Sequence, residues 1–295
     1  MQAGECRSPS LSKHGTFVMM LRAQDVAAGK GWVPIKERRC VVFLHGFLQS
    51  HRCWLLTAHR VRACYGHDCL LLDWPAHGLS GVPPDGTTLT TSMLVDCLHD
   101  VLERSQRATQ PRSITLAGCS IGGAVAMLYT SMYPDSVDRL VLVAPAGFDE
   151  PWFRLSRLGP MVSKLSNCVV VPSRTRALLS LIHNTPRYDN IPNWFDTYVA
   201  RTKPTLLVYA SLDELHRSDL WTACRHRDAT FRSWSVPVIH SVLCVFISQL
   251  RLDLDANAWH ENTNAGHEER SANKAGGSHP ESTGEVGPRR LLARL

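Results

Sequence analysis

The feature that most constrains this chain is an alternation of compact apolar runs with longer amphipathic stretches. The runs are CVVFL (40–44), DCLLL (68–72), SITLA (113–117), RLVLVA (139–144), TLLVYA (205–210) and ATFRSWSV (229–236). Most are continuously apolar and rich in Val, Ile or Leu, which suits strands covered on both faces. A strand with one wet face would alternate. Between them lie helix-like stretches at roughly 51–64, 88–104, 121–133 and 214–227. Strand–helix alternation predicts an α/β fold, a mostly parallel sheet with right-handed crossovers and flanking helices. TFVMMLRAQ is the one clear strand expected before CVVFL, so the N-terminal part reads as abbreviated.

Two segments break the pattern. From Gly147 to Lys203 the only strand-like run is NCVVVP (167–172). Helical pieces near 151–166, 174–184 and 192–200 are separated there by Pro160, Pro172, Pro186 and Pro192. A segment this long between two sheet strands is no ordinary loop, and a small helical cap at about 147–203 is expected. Beyond Arg251 the chain turns rich in Asn, Gly, Ser, His and Glu, with no apolar period. Such a segment buries too little to offset its ordering entropy. The expected organisation is one domain over 1–251 and a disordered tail over 252–295.

Composition narrows the function classes. Hydrophobic residues at 44% and charged residues at 20% exclude a disordered, collagen-like or coiled-coil chain. The +6 balance is mild, and no basic run is interleaved with aromatics, so a nucleic-acid partner is not expected. The ten cysteines include no C-x-x-C pair, and they read as reduced, mostly buried thiols of a cytoplasmic protein. Phe17–Leu21 is too short for a signal-peptide core. Val236–Leu250 carries His240, Ser241, Ser248 and Gln249 and is too short and polar to span a bilayer, so no integral membrane segment is expected. No H-E-x-x-H, clustered carboxylates, G-x-G-x-x-G or P-loop occurs; no cofactor and no metal are implied.

Chemistry concentrates in Gly118-Cys119-Ser120-Ile121-Gly122-Gly123, directly after SITLA and before the amphipathic AVAMLYTSMY. G-x-S-x-G alone is a weak signal. At a strand-to-helix turn it gains meaning, because crowded backbones there require small residues two before and two after the tip. The turn lifts the serine hydroxyl off the sheet, and the helix N-terminus aims amides at developing negative charge. A second motif, Phe43-Leu44-His45-Gly46-Phe47, closes CVVFL. Its glycine lets the chain turn and frees the Phe47 amide to join that of Ile121 around an oxyanion. His45 reads as a residue tying down this loop. Cys119 reads as packing beside the turn.

These motifs, with Asp73-Trp74-Pro75-Ala76-His77-Gly78-Leu79-Ser80 between them, resemble the serine α/β-hydrolase superfamily in order, spacing and placement. The resemblance runs from about Arg39 to about Leu250. It implies an α/β-hydrolase fold and a nucleophilic Ser120. It also implies a mainly structural role for the D-x-P-x-H-G-x-S loop, which keeps Asp73 and His77 out of the catalytic set.

A hydrolase triad runs Ser, then acid, then His. Ser211-Leu212-Asp213-Glu214 resembles the family's acid loop; its other reading is Asp213 as a helix N-cap. Asp149 is the rival acid, one strand earlier. His240, beyond the last strand, is the candidate base, its other reading being an interior histidine. Trp152, Phe153, Trp194 and Phe195 either wall an acyl pocket or form the cap's own core. The expected activity is hydrolysis of an ester, thioester or related acyl bond in a small-molecule substrate. Two readings stand beside it. One is a non-catalytic binding or scaffold member, favoured by how soon the apolar 241–246 segment follows His240. The other is C–C hydrolysis or acyl transfer by the same residues. Substrate identity and oligomeric state are not encoded legibly.

Overall fold

The computed structural model describes residues 6–11, 15–23, 39–84, 87–109, 113–146, 172–184, 203–210 and 231–236. Among the described residues, eight strands form a single sheet: β1 (Cys6–Leu11), β2 (Phe17–Leu21), β3 (Cys40–Leu44), β4 (Asp68–Leu72), β5 (Ile114–Cys119), β6 (Arg139–Val143), β7 (Thr205–Ala210) and β8 (Phe231–Val236). Their spatial order is β1-β2-β4-β3-β5-β6-β7-β8. β4, β3, β5, β6, β7 and β8 run parallel, while β1 and β2 join antiparallel at one edge. The apolar runs of the sequence supply the parallel strands.

The continuous apolar character of these strands has the expected cause. Along β3, Cys40, Val42 and Leu44 enter one core, and Val41 and Phe43 enter the other. The first core is closed by α2 (Thr91–Thr109), α3 (Ile121–Met132) and α4 (Ser173–Asn184), through residues such as Leu94, Leu98, Val125 and Leu181. The second is closed by α1 (Arg52–Tyr65) through Trp54, Ala58 and Val61. Each side chain of this kind, fully buried, contributes on the order of 1.5–3 kcal/mol. Burial pushes the Cys40 thiol up to about 12 and the Cys97 thiol up to about 11, so both stay protonated.

Local signals set the helix ends. Thr90 caps α2, its Oγ1 accepting from the Met93 amide at 3.2 Å, so the helix begins slightly later than the periodicity suggests. Gly66 ends α1 in the left-handed region at φ 62°.

The N-terminal expectation needs correction. β1 is a second strand ahead of β3, antiparallel to β2. Its sequence, CRSPSL, has no apolar run to reveal it, and Pro9 argues against a central strand. An edge strand tolerates proline, and the register shift between Arg7 and Ser10 brackets it. The cap expected at 147–203 is described only at its α4 helix, residues 172–184, and at Lys203. The 252–295 tail lies outside the described residues.

Candidate active site

The strand order reverses at the centre of the sheet. From β3 the chain steps to β4 on one side, then crosses back to β5 on the other. In an open α/β sheet the crevice at the carboxyl ends of such diverging strands is where ligands bind. The Gly46-Phe47 loop leaves β3 at this edge, and Ser120 follows β5.

Ser120 occupies the tip of the β5–α3 turn at φ 50° and ψ −120°, a strained conformation for a residue with a side chain. The surrounding bonds over-determine it. Its N–H continues the ladder to the Val143 carbonyl at 3.0 Å, and its carbonyl accepts from Gly123, Ala124 and Ala146. The flanking glycines answer to crowding. A Cβ on Gly118 would stand 2.6 Å from the Gly123 nitrogen. One on Gly122 would stand 2.7 Å from the His45 carbonyl oxygen, and one on Gly123 2.6 Å from the Pro145 Cβ. The small residues around Ser120 thus let α3 start against the β3 loop. Ile121 opens α3, where first-turn amides lack intrahelical acceptors.

The loop after β3 is built to approach that turn. A Cβ on Gly46 would lie 3.2 Å from the Ser120 Cβ, so bare backbone faces the serine. Gln49 Oε1 accepts from the Gly46 amide at 2.8 Å, and the Gln49 amide donates back to the Gly46 carbonyl at 3.2 Å. His45 is fully buried and bonded at both ring nitrogens. Nδ1 lies 2.7 Å from the Gly46 carbonyl and donates to it, while Nε2 accepts from the Trp74 amide at 3.0 Å. Burial first, then the neighbouring His77, push the His45 pKa down to about 3. A neutral imidazole used at both ends is a loop tie.

Asp73 organises the neighbouring loop from a fully buried position. Oδ1 accepts from the His51 amide at 2.5 Å, Oδ2 from the Leu79 amide at 2.8 Å, and His51 Nδ1 sits 2.9 Å from Oδ2. Ser80 Oγ donates to the Asp73 carbonyl at 2.5 Å and accepts from the Phe17 amide at 2.8 Å. Gly78, at φ 46°, has no room for a side chain because the Asp73 carboxylate fills that space. Asp73 therefore joins the 45–51 loop, the 73–80 loop and, through Ser80, the start of β2. His77 Nδ1 bonds the Pro75 carbonyl at 3.0 Å, and its ring meets that of Phe47 edge-on at 5.8 Å.

The structure thus sets Gly46 against Ser120, with Phe47 and Ile121 next to them along the chain. Asp213, His240, Asp149, Trp152, Phe153, Trp194 and Phe195 lie outside the described residues. Sequence reasoning missed Gln49, His51 and Arg174 as parts of this region. Arg174, in α4, donates to the carbonyls of Ala76, Gly78 and Ser80. Gln49 and His51 stand within a few residues of a motif already singled out, which is the only signal they carry. Among the described residues, no cluster of His, Cys, Asp and Glu has a metal-holding arrangement, and no helix is long and apolar enough to cross a membrane.

Comparison with known proteins agrees with this architecture. Residues 39–165 match the model of the alpha/beta hydrolase fold family. A serine hydrolase-like protein of Danio rerio is 35% identical over 122 residues, covering 41% of this chain and 35% of the relative. A probable serine hydrolase of Drosophila melanogaster is 30% identical over 121 residues, covering 39% of this chain and 34% of the relative. The matched segment spans about a third of the length of these curated relatives. Among solved structures, one from a study of carboxylesterases of the thaumarchaeon Nitrososphaera gargenis superposes with a TM-score of 0.56. It is 13% identical, and the match covers 90% of this chain and all of that one. The strand order, the strained turn at Ser120 and these matches converge: this chain has the α/β-hydrolase fold, and its 39–165 segment matches the model of that fold's family.

Proposed function

We propose that the protein is a serine hydrolase that cleaves an ester, thioester or related acyl bond of a small molecule through an acyl-enzyme intermediate. The observation that carries this reading is Ser120 itself. A non-glycine residue held at φ 50° and ψ −120° on a strand-to-helix turn is strained, and strain of this kind clusters at active sites. That turn abuts the bare backbone of Gly46, at the point where the strand order reverses.

The chemistry follows from the arrangement. Ser120 Oγ attacks the carbonyl carbon while His240 takes its proton. The negative charge that gathers on the carbonyl oxygen is held by the amides of Phe47 and Ile121. Collapse of this adduct expels the alcohol or thiol, which receives the proton from His240. Water, deprotonated by the same histidine, then adds to the acyl group and releases the acid, returning the proton to Ser120. Asp213 orients the imidazole and stabilises its charged form.

Support for the acid and base comes from strand register. β7 and β8 end side by side, Ala210 opposite Val236, in a sheet whose parallel strands all direct their carboxyl ends toward Ser120. Asp213 follows β7 by three residues and His240 follows β8 by four. The names of the fish and fly relatives support the same class. The test is turnover of short p-nitrophenyl esters by the wild type, Ser120→Ala and His240→Ala. Turnover by the wild type that disappears in both variants is expected. A folded wild type that turns over none of a panel of esters and thioesters would point to a non-catalytic member instead.

A further inference from the structure

Three backbone carbonyls of the 73–81 bend converge on one cation. Arg174 Nη1 donates to Ala76 at 3.1 Å and to Gly78 at 3.2 Å, and Nη2 donates to Ser80 at 3.2 Å. Left-handed backbone at Ala76 (φ 61°) and Gly78 (φ 46°) tightens this bend, which the Ala76 amide closes by donating to the Gly81 carbonyl at 2.9 Å. Carbonyl dipoles aimed at one point repel unless a donor of positive charge lies among them. A planar guanidinium with several donors suits that place better than an ammonium.

Arg174 comes from the second residue of α4, a helix anchored on the same side of the sheet by Ala177 and Leu181 in the core. Ser180, further along α4, accepts from the Leu89 amide at 2.9 Å. The bend that Arg174 clasps is in turn bonded to the loop beside Ser120. Trp74 donates its amide to His45 Nε2 at 3.0 Å and its indole N–H to the His45 carbonyl at 2.9 Å. His45 then holds the Gly46 carbonyl, and that carbonyl belongs to the same peptide as the Phe47 amide.

We infer that Arg174 is a positioning residue: it fixes the 73–81 bend from the α4 side and, through Trp74 and His45, holds the Gly46–Phe47 peptide in its oxyanion-binding orientation. The inference rests on the serine-hydrolase reading for its catalytic consequence, but not for the mechanical one. Attachment of α4 and readiness of the oxyanion loop are then one event, because the same guanidinium serves both.

The test uses the full chain with Arg174→Lys, Arg174→Ala and Ser180→Ala. Hydrogen exchange is followed at residues 44–51 and 73–81, and acylation by a fluorophosphonate is resolved into its binding and inactivation constants. Arg174→Lys keeps the charge but loses the fork, and it serves should the alanine variant fail to fold. Expected are faster exchange in both segments and an inactivation rate constant lower by about tenfold, with binding little changed. That is less than the loss of a whole oxyanion donor, on the order of 10²–10³. Ser180→Ala should stay near wild type in both readouts. Faster exchange confined to 73–81 would overturn the inference. So would a Ser180→Ala variant as impaired as Arg174→Ala, since the effect would then belong to α4 docking in general. If the wild type takes up no fluorophosphonate, the serine-hydrolase reading fails. Exchange at 44–51 then decides the positioning role alone: faster in the Arg174 variants supports it, unchanged overturns it.

Discussion

Asp73→Asn perturbs the hub that joins the 73–80 loop to the 45–51 loop beside Ser120, with almost no change of shape. In the native protein each carboxylate oxygen accepts a backbone amide, His51 on Oδ1 and Leu79 on Oδ2, and His51 Nδ1 lies within 3.0 Å of both. An asparagine offers one oxygen and one NH₂ group. Whichever way it is turned, one backbone N–H faces another donor inside a site sealed from solvent. A buried group left without its partner costs about 1–3 kcal/mol, and bonds to a charged acceptor lie at the upper end. About 3 kcal/mol is therefore expected. At roughly 2–4 °C per kcal/mol for a domain of this size, the melting temperature falls by about 6–12 °C. Against a typical total of about 5–15 kcal/mol the variant still folds at room temperature. Circular dichroism melts give the shift, and acylation by a fluorophosphonate at 20 °C gives the chemistry. A melting temperature within about 2 °C of wild type would refute the hub argument, since the shift computed from one broken bond is several times that. Loss of acylation with the melt unchanged would make Asp73 a chemical residue and displace Asp213.

Gly122→Ala should lower stability by about 1–3 kcal/mol and abolish ester turnover, because the new methyl presses on the Leu44 and His45 carbonyls. Gly81→Ala, whose Cβ would meet only the Gly15 carbonyl at 3.7 Å, should do neither; equal damage from both in denaturation and turnover would void the steric argument. His45 supplies a pH dependence. Its folded pKa of about 3 lies below the ordinary 6.5, so the unfolded chain binds the extra proton. Its contribution is complete above about 6.5 and is lost as pH falls toward 3. Urea midpoints should therefore drop between pH 7 and pH 4, and His45→Asn, which does not titrate, should flatten that drop; an identical slope in the variant would contradict it. Asp213→Asn should cut ester turnover by several orders of magnitude, about 10⁴-fold as for loss of a triad aspartate, while Asp149→Asn stays near wild type. The reverse result would move the acid one strand earlier.

The sequence revealed the parts of this fold that are governed by burial. β3 to β7 are legible because a strand covered on both faces can hold only apolar residues, as CVVFL and RLVLV do. β1 is illegible for the opposite reason: an edge strand is stabilised by backbone pairing, which leaves no mark on CRSPSL. At the site, Gly118, Gly122 and Gly46 were legible because crowded backbone excludes every other residue. His45 could be read as a loop tie from its neighbours, but not its partner Trp74, which is 29 residues away in sequence. Arg174 left no signal at all. In the sequence it looks like Arg176 on the same helix, and only the fold turns the three carbonyls of the 73–81 bend toward it.

The central claim is that Ser120 is an activated nucleophile. Its most direct test is to expose the folded full-length protein to a fluorophosphonate at neutral pH and map the adduct by tandem mass spectrometry. The account predicts one adduct per chain, on the Ser120 hydroxyl, formed by the wild type and absent from Ser120→Ala. An adduct on another residue, or none in a protein shown to be folded, would contradict it.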